Sequence, residues 1–268
     1  MITGLLLYTQ TDTPRNKWFI DHLVAVCATR GIDLRFAVYD PKHLADETFV
    51  RSFDFCVNRT RFVAVNRAFE ACGKRCFNNA ETVEIGNDKW LTYVLCKDLG
   101  IPVMDTCRLN SAAVSIAAPF VVKSRNGHGG NEVFWAQDTT TLASLPLSNA
   151  SGYIAQAPAS DTGVDVRVYV LGGEPIAAVK RTSAADFRSN YSLGGQVELF
   201  TPTSDQLRVI DALQGALQAD YVGYDFILHN GAWVLNEIED AVGARMLYSL
   251  CDYDVGEAFV HNIAKTMR

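Results

Sequence analysis

Three acidic side chains, Glu237, Glu239 and Asp240, crowd the end of an apolar run, V-L-N-E-I-E-D-A-V-G at 234–243. Glu237 and Glu239 lie two residues apart on a predicted strand and share one face, whereas Asp240 points away or begins the loop. Carboxylates on one face repel each other unless a cation lies between them. Mg²⁺ prefers oxygen ligands, commonly carboxylates together with nucleotide phosphates. We therefore favour a metal site here over a set of surface salt bridges.

A third ligand should come from the neighbouring strand, where Asp225 is the only acid. Whether Asp225 lies on the face of Glu237 and Glu239 depends on the turn between the two strands. A three-residue loop at 229–231 puts Asp225 on the face of Glu237, and Gly231 suits the left-handed last position of such a loop. A two-residue turn would instead place Asp225 opposite Asn236. The metal hypothesis therefore predicts the three-residue loop.

Two lysines could bind phosphate groups. Lys89 lies in the first turn of a predicted helix, where the helix dipole disfavours a cation and the free N–H groups favour a bound anion. Lys123 ends the apolar strand P-F-V-V-K and precedes a loop that contains Gly127, Gly129 and Gly130. Glycines let backbone N–H groups approach phosphate oxygens, and the lysine supplies charge. The alternatives are a solvated lysine and a flexible surface turn.

A concentration of positive charge follows a predicted hairpin, with Lys180, Arg181 and Arg188 in K-R-T-S-A-A-D-F-R-S-N. Arginine suits the bidentate recognition of carboxylate or phosphate, although such a run can also be a solvated loop. Arg167 lies on the strand V-D-V-R-V with Asp165 on the same face. From the residues alone, a structural ion pair and a functional role for Arg167 are equally open.

The elements that must position these residues alternate between strands and helices. Residues 3–8 and 33–39 read as strands around a helix capped by Thr13, which indicates a small α/β unit with a parallel sheet. Further helices are expected to be capped by Asn87 and Ser204. Hairpin-like pairs of strands are predicted over 119–135, 164–181 and 222–239. No G-x-G-x-x-G or P-loop sequence is present, so neither of those nucleotide sites is expected.

Composition sets broad limits on function. The 268 residues carry a net charge of −6, with a sequence pI near 5.4, so little excess basic charge is available for nucleic acid. The 7 cysteines form no C-x-x-C pair, and Cys56, Cys96 and Cys107 are expected to be buried free thiols. No signal peptide or membrane span is evident. We expect a cytoplasmic protein without a nucleic-acid or membrane partner.

These segments together resemble the ATP-grasp superfamily, and within it the RimK-like carboxylate–amine ligases. The resemblance runs from about residue 85 to the end and is most specific in V-D-V-R-V-Y-V-L-G-G-E-P-I-A-A-V-K-R and A-D-F-R-S-N-Y-S-L-G-G. It implies an α/β (α+β) ATP-grasp fold. The expected domains are a small α/β domain at 1–84, a lid subdomain at 85–157 and a carboxy-terminal subdomain at 158–268 with the metal and substrate site.

The resemblance also implies an enzyme that uses ATP and one or two Mg²⁺ ions, or Mn²⁺, to join a carboxylate substrate to an amine substrate. ATP would phosphorylate the carboxylate, and the amine would attack the acylphosphate. Substrate and transferred-group contacts would come from Arg167, Arg181, Arg188 and Asn190. Nucleotide contacts would come from Lys89, Lys123, Gly127, His128, Gly129, Gly130, Gln156, Ala157, Ala159 and Asp165. The metal ligands would be Asp225, Glu237 and Glu239.

Two positions depart from the family pattern. Ala157 replaces the hinge acid of many relatives, where the backbone holds adenine, and Glu239 stands where the family usually has asparagine. The extra carboxylate could tighten metal binding or change the number of ions. A small-molecule kinase and a nucleotide-binding module without catalysis remain alternatives. The acid and amine are not identified by the sequence, and a homo-oligomer is left open.

Overall fold

The computed structural model describes residues 1–109, 114–129, 132–183 and 196–268. Within them, three sheets follow one another along the chain. Each sheet falls inside one of the three predicted domains, although the domain boundaries themselves stay a prediction.

The first sheet is parallel and has the strand order β2-β1-β3-β4. Its strands are β1 (Ile2–Tyr8), β2 (Ile32–Val38), β3 (Phe55–Asn58) and β4 (Arg75–Phe77). The associated helices are α1 (Thr13–Thr29), α2 (Pro41–Ala45), α3 (Glu47–Arg51), α4 (Val63–Ala71) and α5 (Ala80–Gly86). This confirms the predicted parallel α/β unit, in which crossover helices cover the faces of a buried sheet.

The second sheet is antiparallel and has the order β5-β8-β6-β7. It consists of β5 (Thr106–Arg108), β6 (Phe120–Ser124), β7 (Val133–Ala136) and β8 (Tyr153–Gln156). Helix α6 (Lys89–Asp98) precedes it, and α7 (Thr139–Ala143) and a 3-10 turn (Ala150–Gly152) lie before β8. The predicted strands around the glycine-rich loop therefore pair as expected, β6 with β7.

The third sheet is antiparallel and has the order β11-β10-β9-β12-β13. Its strands are β9 (Val164–Leu171), β10 (Glu174–Thr182), β11 (Gln196–Phe200), β12 (Tyr221–His229) and β13 (Ala232–Glu239). The helices are α8 (Ser204–Leu217), α9 (Arg245–Leu250) and α10 (Val255–Thr266). Because β9 lies at the centre, its side chains meet those of β10 on one side and β12 on the other.

The first and third sheets share one hydrophobic core. Phe77, Tyr221 and Phe259 are each at most 1% exposed, and the ring of Phe259 contacts the rings of Phe77 and Tyr221. Burial of each ring contributes about 2 kcal/mol relative to exposure in water. This shared core fixes the position of the amino-terminal sheet over one end of the third sheet.

A buried amide reinforces this junction. The Asn78 side chain donates to the carbonyl of Tyr221 at 2.9 Å and to a carboxylate oxygen of Asp240 at 2.7 Å. Its own oxygen accepts from the backbone N–H groups of Asp220 and Tyr221 at 2.7 and 2.8 Å. Asp240 is thus used inside the junction, in agreement with its predicted absence from the carboxylate face.

The three predicted helix caps are each wrong by one residue. Helix α1 starts after Asp12, α6 after Asp88 and α8 after Thr203. The Asp88 carboxylate accepts from the first free N–H groups of α6, and Thr203 forms a reciprocal capping box with Gln206. Adjacent polar residues can all serve as caps, and packing of the apolar face selects among them.

The hairpin turn also differs from its prediction. His229 pairs with Ala232, so the turn consists of two residues, Asn230 and Gly231, and the expected three-residue loop is wrong. Both residues have positive φ, 51° and 77°, as a type I′ turn requires. Asparagine and glycine tolerate this conformation, so the tighter turn is favoured locally.

A β-bulge places Asp225 and Glu237 on one face of the sheet, which the two-residue turn alone would not do. Phe226 pairs with Leu235, whereas the next pair along β12 is Asp225 with Glu237, so Asn236 is the extra residue. Without it, the two-residue turn would set Asp225 opposite Asn236 and turn Glu237 to the other face. With it, Asp225 and Glu237 lie side by side, as the metal hypothesis requires.

Candidate active site

A cleft of about 1290 Å³ opens between the three sheets. It collects every predicted site residue that the structure describes. These are Lys89, Lys123, Gly127, His128, Gly129, Gln156, Ala157, Ala159, Asp165, Arg167, Arg181, Asp225, Glu237 and Glu239. Gly130, Arg188 and Asn190 lie outside the described residues.

The sequence analysis missed one wall of this cleft, which the amino-terminal domain supplies. The segments after β1, β2 and β3 line it, with Tyr8, Asp12, Arg15, Tyr39 and Arg59–Phe62 among their residues. The carboxyl ends of parallel strands meet at one edge of a sheet, which is where open α/β sheets bind ligands. The R-T-R segment directly after the buried strand F-C-V-N was the signal that could have found this wall.

Two lysines face one carboxylate at the other side of the cleft. The Nζ of Lys89, the first residue of α6, lies 3.8 Å from Glu237 Oε2, and that of Lys123 lies 3.7 Å from Glu237 Oε1. Lys89 donates to the carbonyl of Gly127 at 2.6 Å, and Lys123 donates to the bulge residue Asn236 at 2.9 Å. The helix start, the strand end and the bulge therefore converge on one charged group.

Burial and the neighbouring charges shift the pKa values of Lys123 and Glu237 in opposite directions. Burial lowers the pKa of Lys123, and the neighbouring Glu237 partly offsets this effect. Burial would raise the pKa of Glu237, but the ammonium groups of Lys89 and Lys123 outweigh it, so this pKa lies below its ordinary value. Glu237 is consequently ionised at neutral pH. A phosphate that enters beside Lys123 would supply an opposite charge and favour the ammonium form.

A buried network of two arginines and two aspartates lies across the centre of the third sheet. Arg167 binds Asp225 through two bonds of 2.6 Å, and Arg181 binds Asp165 through two bonds of 2.5 Å. Arg181 also donates to Asp225 at 2.8 Å. The bidentate partner of Arg167 is thus Asp225 on the neighbouring strand, because residues directly opposite on β9, β10 and β12 lie closer than residues two apart on one strand.

The sequence of residues 104–263 matches the family model of the RimK-like ATP-grasp domain, which is more than half of the chain. The chain belongs to this RimK-like ATP-grasp family. The predictions of an ATP-grasp fold and of an ATP-dependent ligase of the RimK type are confirmed. Family members use ATP, and the lysines and the glycine-rich loop line the cleft, where their contacts to a nucleotide stay a prediction.

Relatives of this ATP-grasp protein span bacteria and mammals. An uncharacterized protein, the MG011 homolog of Mycoplasma pneumoniae, is 29% identical over 92% of this chain and 87% of its own. The N-acetylaspartylglutamate synthase A of Homo sapiens is 30% identical over 72% of this chain and 53% of its own. A crystal structure of D-alanine–D-alanine ligase from Bacillus anthracis complexed with ATP superimposes with a TM-score of 0.76. It covers 100% of this chain and 97% of its own at 14% identity, which shows the fold alone.

The carboxylates of this ATP-grasp site fit a metal that a nucleotide helps to hold. In the described part of the chain, no group of three or more His, Cys, Asp or Glu side chains could hold an ion without other ligands. Glu237 and Glu239 offer hard oxygens on one face, and Mg²⁺ is commonly bound by one or two carboxylates plus phosphates. Asp225 accepts three bonds from Arg167 and Arg181, and its role as a metal ligand stays a prediction. Glu239 lies 3.8 Å from Arg167.

The glycine-rich loop between β6 and β7 lines the cleft through Gly127, His128 and Gly129. Gly129 has a φ of 69°, which a glycine adopts without strain. Burial, followed by the charge of Arg61, lowers the pKa of His128 to about 4, so this imidazole is neutral at neutral pH and is a hydrogen-bonding group without charge. In the segment predicted as the hinge, the N–H of Ala157 donates to the carbonyl of Asp105 at 2.8 Å. A nucleotide base would have to use another backbone group of this segment.

The cysteines and the helices of the described residues also bear on the sequence predictions. Cys56, Cys96 and Cys107 are buried free thiols, as predicted. Burial raises the pKa of Cys96 to about 12, which leaves it unreactive. Among the described helices, none combines the length and the apolar character that a membrane crossing requires.

Proposed function

We propose that this protein is an ATP- and Mg²⁺-dependent ligase that joins a substrate carboxylate to a substrate amine through an acylphosphate. The observation that carries the proposal is the convergence of Lys89 and Lys123 on Glu237, next to Glu239 on the same strand. Two cations and two carboxylates at one end of a cleft suit a nucleotide triphosphate and its bound metal.

The first step transfers a phosphoryl group. A carboxylate oxygen of the acid attacks the γ-phosphorus of ATP, the bond to the β-phosphate oxygen breaks, and ADP leaves. Lys89 and Lys123 would hold the phosphates and neutralise charge, since such reactions depend on positioning and electrostatics more than on covalent help. Glu237 and Glu239 would hold Mg²⁺, which when bound would supply positive charge that offsets the charge developing on the transferred phosphoryl group.

The second step forms the amide. The amine nitrogen attacks the acyl carbon, the bond to the phosphate oxygen breaks, and the released phosphate takes the proton that the nitrogen loses. The predicted contacts of Arg188 and Asn190 would lie here, together with Arg167 and Arg181. Closure of the loop at Gly127–Gly129 would keep water away from the acylphosphate.

The relatives support an amino acid or peptide as substrate. The human relative is named for a product that contains glutamate, and the structural relative is named for a dipeptide of alanine. In both names the bond joins a carboxylate to an amine. We place this protein in the same class without assigning either product to it.

The test is ADP release from a panel of acids and amines, each alone and in pairs, with ATP and MgCl₂. We expect ADP only when an acid and an amine are both present. ADP from an acid alone, with a stable phosphorylated product, would identify a kinase. ATP binding without turnover on any pair would identify a nucleotide-binding module.

A matched pair of lysine variants tests the site itself. Lys97 lies exposed in the last turn of α6, the helix that begins with Lys89. Lys89→Met should abolish the ADP release that an acid and amine pair supports, whereas Lys97→Met should retain it. Equal activity of the two variants would remove Lys89 from the phosphate site.

A further inference from the structure

The third acid of the segment at 234–243, Asp240, has no part in the proposed catalytic steps. It follows Glu239 at the end of β13 and is 2% exposed. A buried carboxylate costs free energy unless its oxygens accept hydrogen bonds or meet an opposite charge. Arg59 and Arg61 place positive charge near it. The groups that donate to Asp240 therefore indicate what this acid does.

Two side-chain amides from different segments donate to Asp240. Asn78, directly after β4 of the amino-terminal sheet, donates to one carboxylate oxygen at 2.7 Å. Asn87, directly after α5, donates to the other oxygen at 3.2 Å. The carboxylate thus joins the end of β13 to the segments on both sides of α5. The second of these segments, residues 86–88, is the corner at which α6 begins, and we call it the α5–α6 corner.

The α5–α6 corner packs closely on β13. The Asn87 amide also donates to the carbonyl of Val83 at 2.7 Å, which anchors it in the last turn of α5. A Cβ atom added at Gly86 would lie 3.3 Å from Cβ of Asp240 and 3.4 Å from the side chain and the carbonyl of Ile238. Glycine therefore allows an approach that a larger residue would hinder, and the bond to Asp240 holds the corner there.

Lys89 lies two residues beyond Asn87 and is the first residue of α6. Its side chain is 13% exposed, and its Nζ lies 3.8 Å from Glu237 Oε2. A cavity of about 10 Å³, lined by both of these residues and by Asn87 and Asp240, separates the corner from the strand. Such a space holds at most about one water molecule. A shift of the corner would consequently move Lys89 relative to Glu237.

The glycine-rich loop is attached to the same corner. The Asn126 amide donates to the backbone carbonyl of Asn87 at 2.7 Å. The backbone N–H of Lys89 donates to the carbonyl of Arg125 at 3.0 Å, and its ammonium donates to that of Gly127 at 2.6 Å. The position of the corner therefore sets the position of the loop as well as that of the lysine.

We propose that Asp240 and Asn87 are positioning residues, which hold the start of α6 so that Lys89 faces Glu237 and the phosphates bound beside it. They act through Lys89 and not through contacts of their own with the reacting atoms. A carboxylate suits this role, because its two oxygens accept from two segments at once. This inference rests on the proposed function, since it assigns Asp240 and Asn87 a part in the same site.

Two variants break the bond between Asp240 and Asn87. Asn87→Ala removes the donor. In Asp240→Asn, the amide oxygen can still accept from Asn78, whereas the amide nitrogen is a donor and cannot accept from Asn87. In calorimetry with the full chain and MgCl₂, each variant should raise the Kd for ATP about threefold or more. The increase should stay below that of Lys89→Met, because it is transmitted by this lysine.

A control variant separates positioning from general stability. Asn79 caps the other end of α5 and donates to the carbonyl of Leu217 at 2.7 Å. Asn79→Ala should therefore lower the urea midpoint of unfolding, as the loss of a helix cap does, while the Kd for ATP stays within about twofold of wild type. A Kd increase in Asn79→Ala equal to that in Asn87→Ala would refute the proposal.

Combination with Lys89→Met tests the route of the effect. If Asn87 and Asp240 act through Lys89, then adding Asn87→Ala or Asp240→Asn to Lys89→Met should change the Kd for ATP by less than about twofold. A merely structural role would not remove the effect in this background. Losses that add to that of Lys89→Met, for either variant, would refute the positioning role of that residue.

ADP release separates this proposal from the ligase itself. If the losses vanish in Lys89→Met but no acid and amine pair yields ADP, the ligase fails and the positioning role stands. If ADP forms only with an acid and amine pair but the losses add, the ligase stands and the positioning role fails.

Discussion

Replacement of Asp225 by asparagine should test how far the buried arginine network stabilises the fold. Asp225 is 4% exposed and accepts three bonds of 2.6, 2.6 and 2.8 Å from Arg167 and Arg181. The amide removes one negative charge from the network and leaves Arg167 without its bidentate carboxylate, whereas Arg181 keeps Asp165. Breaking a buried pair in this way costs about 3–5 kcal/mol. We expect about 3 kcal/mol, since Glu239 lies 3.8 Å from Arg167 and compensates in part.

Urea unfolding at pH 7, followed by tryptophan fluorescence, would measure this loss. The exposed carboxylate of Asp211 on α8 provides the control, because Asp211→Asn should change the free energy of unfolding by less than about 0.5 kcal/mol. A loss of about 3 kcal/mol is a large share of the 5–15 kcal/mol that typically stabilises a folded domain. A loss below about 1 kcal/mol in Asp225→Asn would refute the argument.

The pH dependence of the free energy of unfolding provides a second test with the same variant. Burial would raise the pKa of Asp225, but Arg167 and Arg181 outweigh it and hold the pKa far below its ordinary value. A lowered folded-state pKa stabilises the protein above the unfolded pKa of about 4, and this contribution disappears as the pH falls through the folded value. The gap between wild type and Asp225→Asn should therefore be constant from about pH 5 to 8 and shrink below about pH 4.

A double-mutant cycle measures the coupling free energy between Asp225 and Arg181. Arg181→Met alone leaves Asp165 without its bidentate partner, and Asp225→Asn alone leaves an excess guanidinium. The double variant keeps one buried arginine and one buried aspartate, so its loss should be smaller than the sum of the single losses by about 0.5–3 kcal/mol. Additive losses would show that the two residues act independently.

Three further predictions concern the phosphates, the metal and the junction between the sheets. Lys123→Met should raise the Kd for ATP about tenfold or more in calorimetry, since a charge-assisted contact is lost, whereas an affinity equal to that of Lys97→Met would contradict this. Glu239→Asn, the usual residue of the family, should raise the MgCl₂ concentration for half-maximal ADP release, because the site loses a negative charge; an unchanged midpoint would count against Glu239 as a ligand. Asn78→Ala should lower the free energy of unfolding by about 2 kcal/mol or more, since buried backbone groups lose their partner, and a wild-type urea midpoint would exclude this role.

The sequence alone predicted the family, the sheet-forming segments and the side chains on the carboxy-terminal side of the cleft. These features are local in the chain. A lysine at a strand end, a glycine-rich loop and alternating acids each lie within about ten residues, so their spacing carries the chemistry. For the same reason Lys89, Lys123 and Glu237 could be named before their distances were known.

The tertiary structure alone decided how β12 and β13 align. The sequence permitted a three-residue loop, but the Asn230-Gly231 turn is tighter, and the bulge at Asn236 returns Glu237 to the face of Asp225. A bulge has no fixed sequence signature. It depends on packing of both faces of the sheet and here on the bond from Lys123 to Asn236, which comes from another sheet.

The amino-terminal wall of the cleft likewise could not be predicted from local sequence, because its contacts join residues far apart in the chain. Arg61 and Glu239 are far apart in sequence, and they line one pocket because the first sheet docks on the core around Tyr221 and Phe259. Local spacing cannot encode such a contact, because it arises from the burial of apolar surface by two separate sheets. The sequence therefore determined the chemistry that each segment can perform, and the packing of the sheets determined which segments act together.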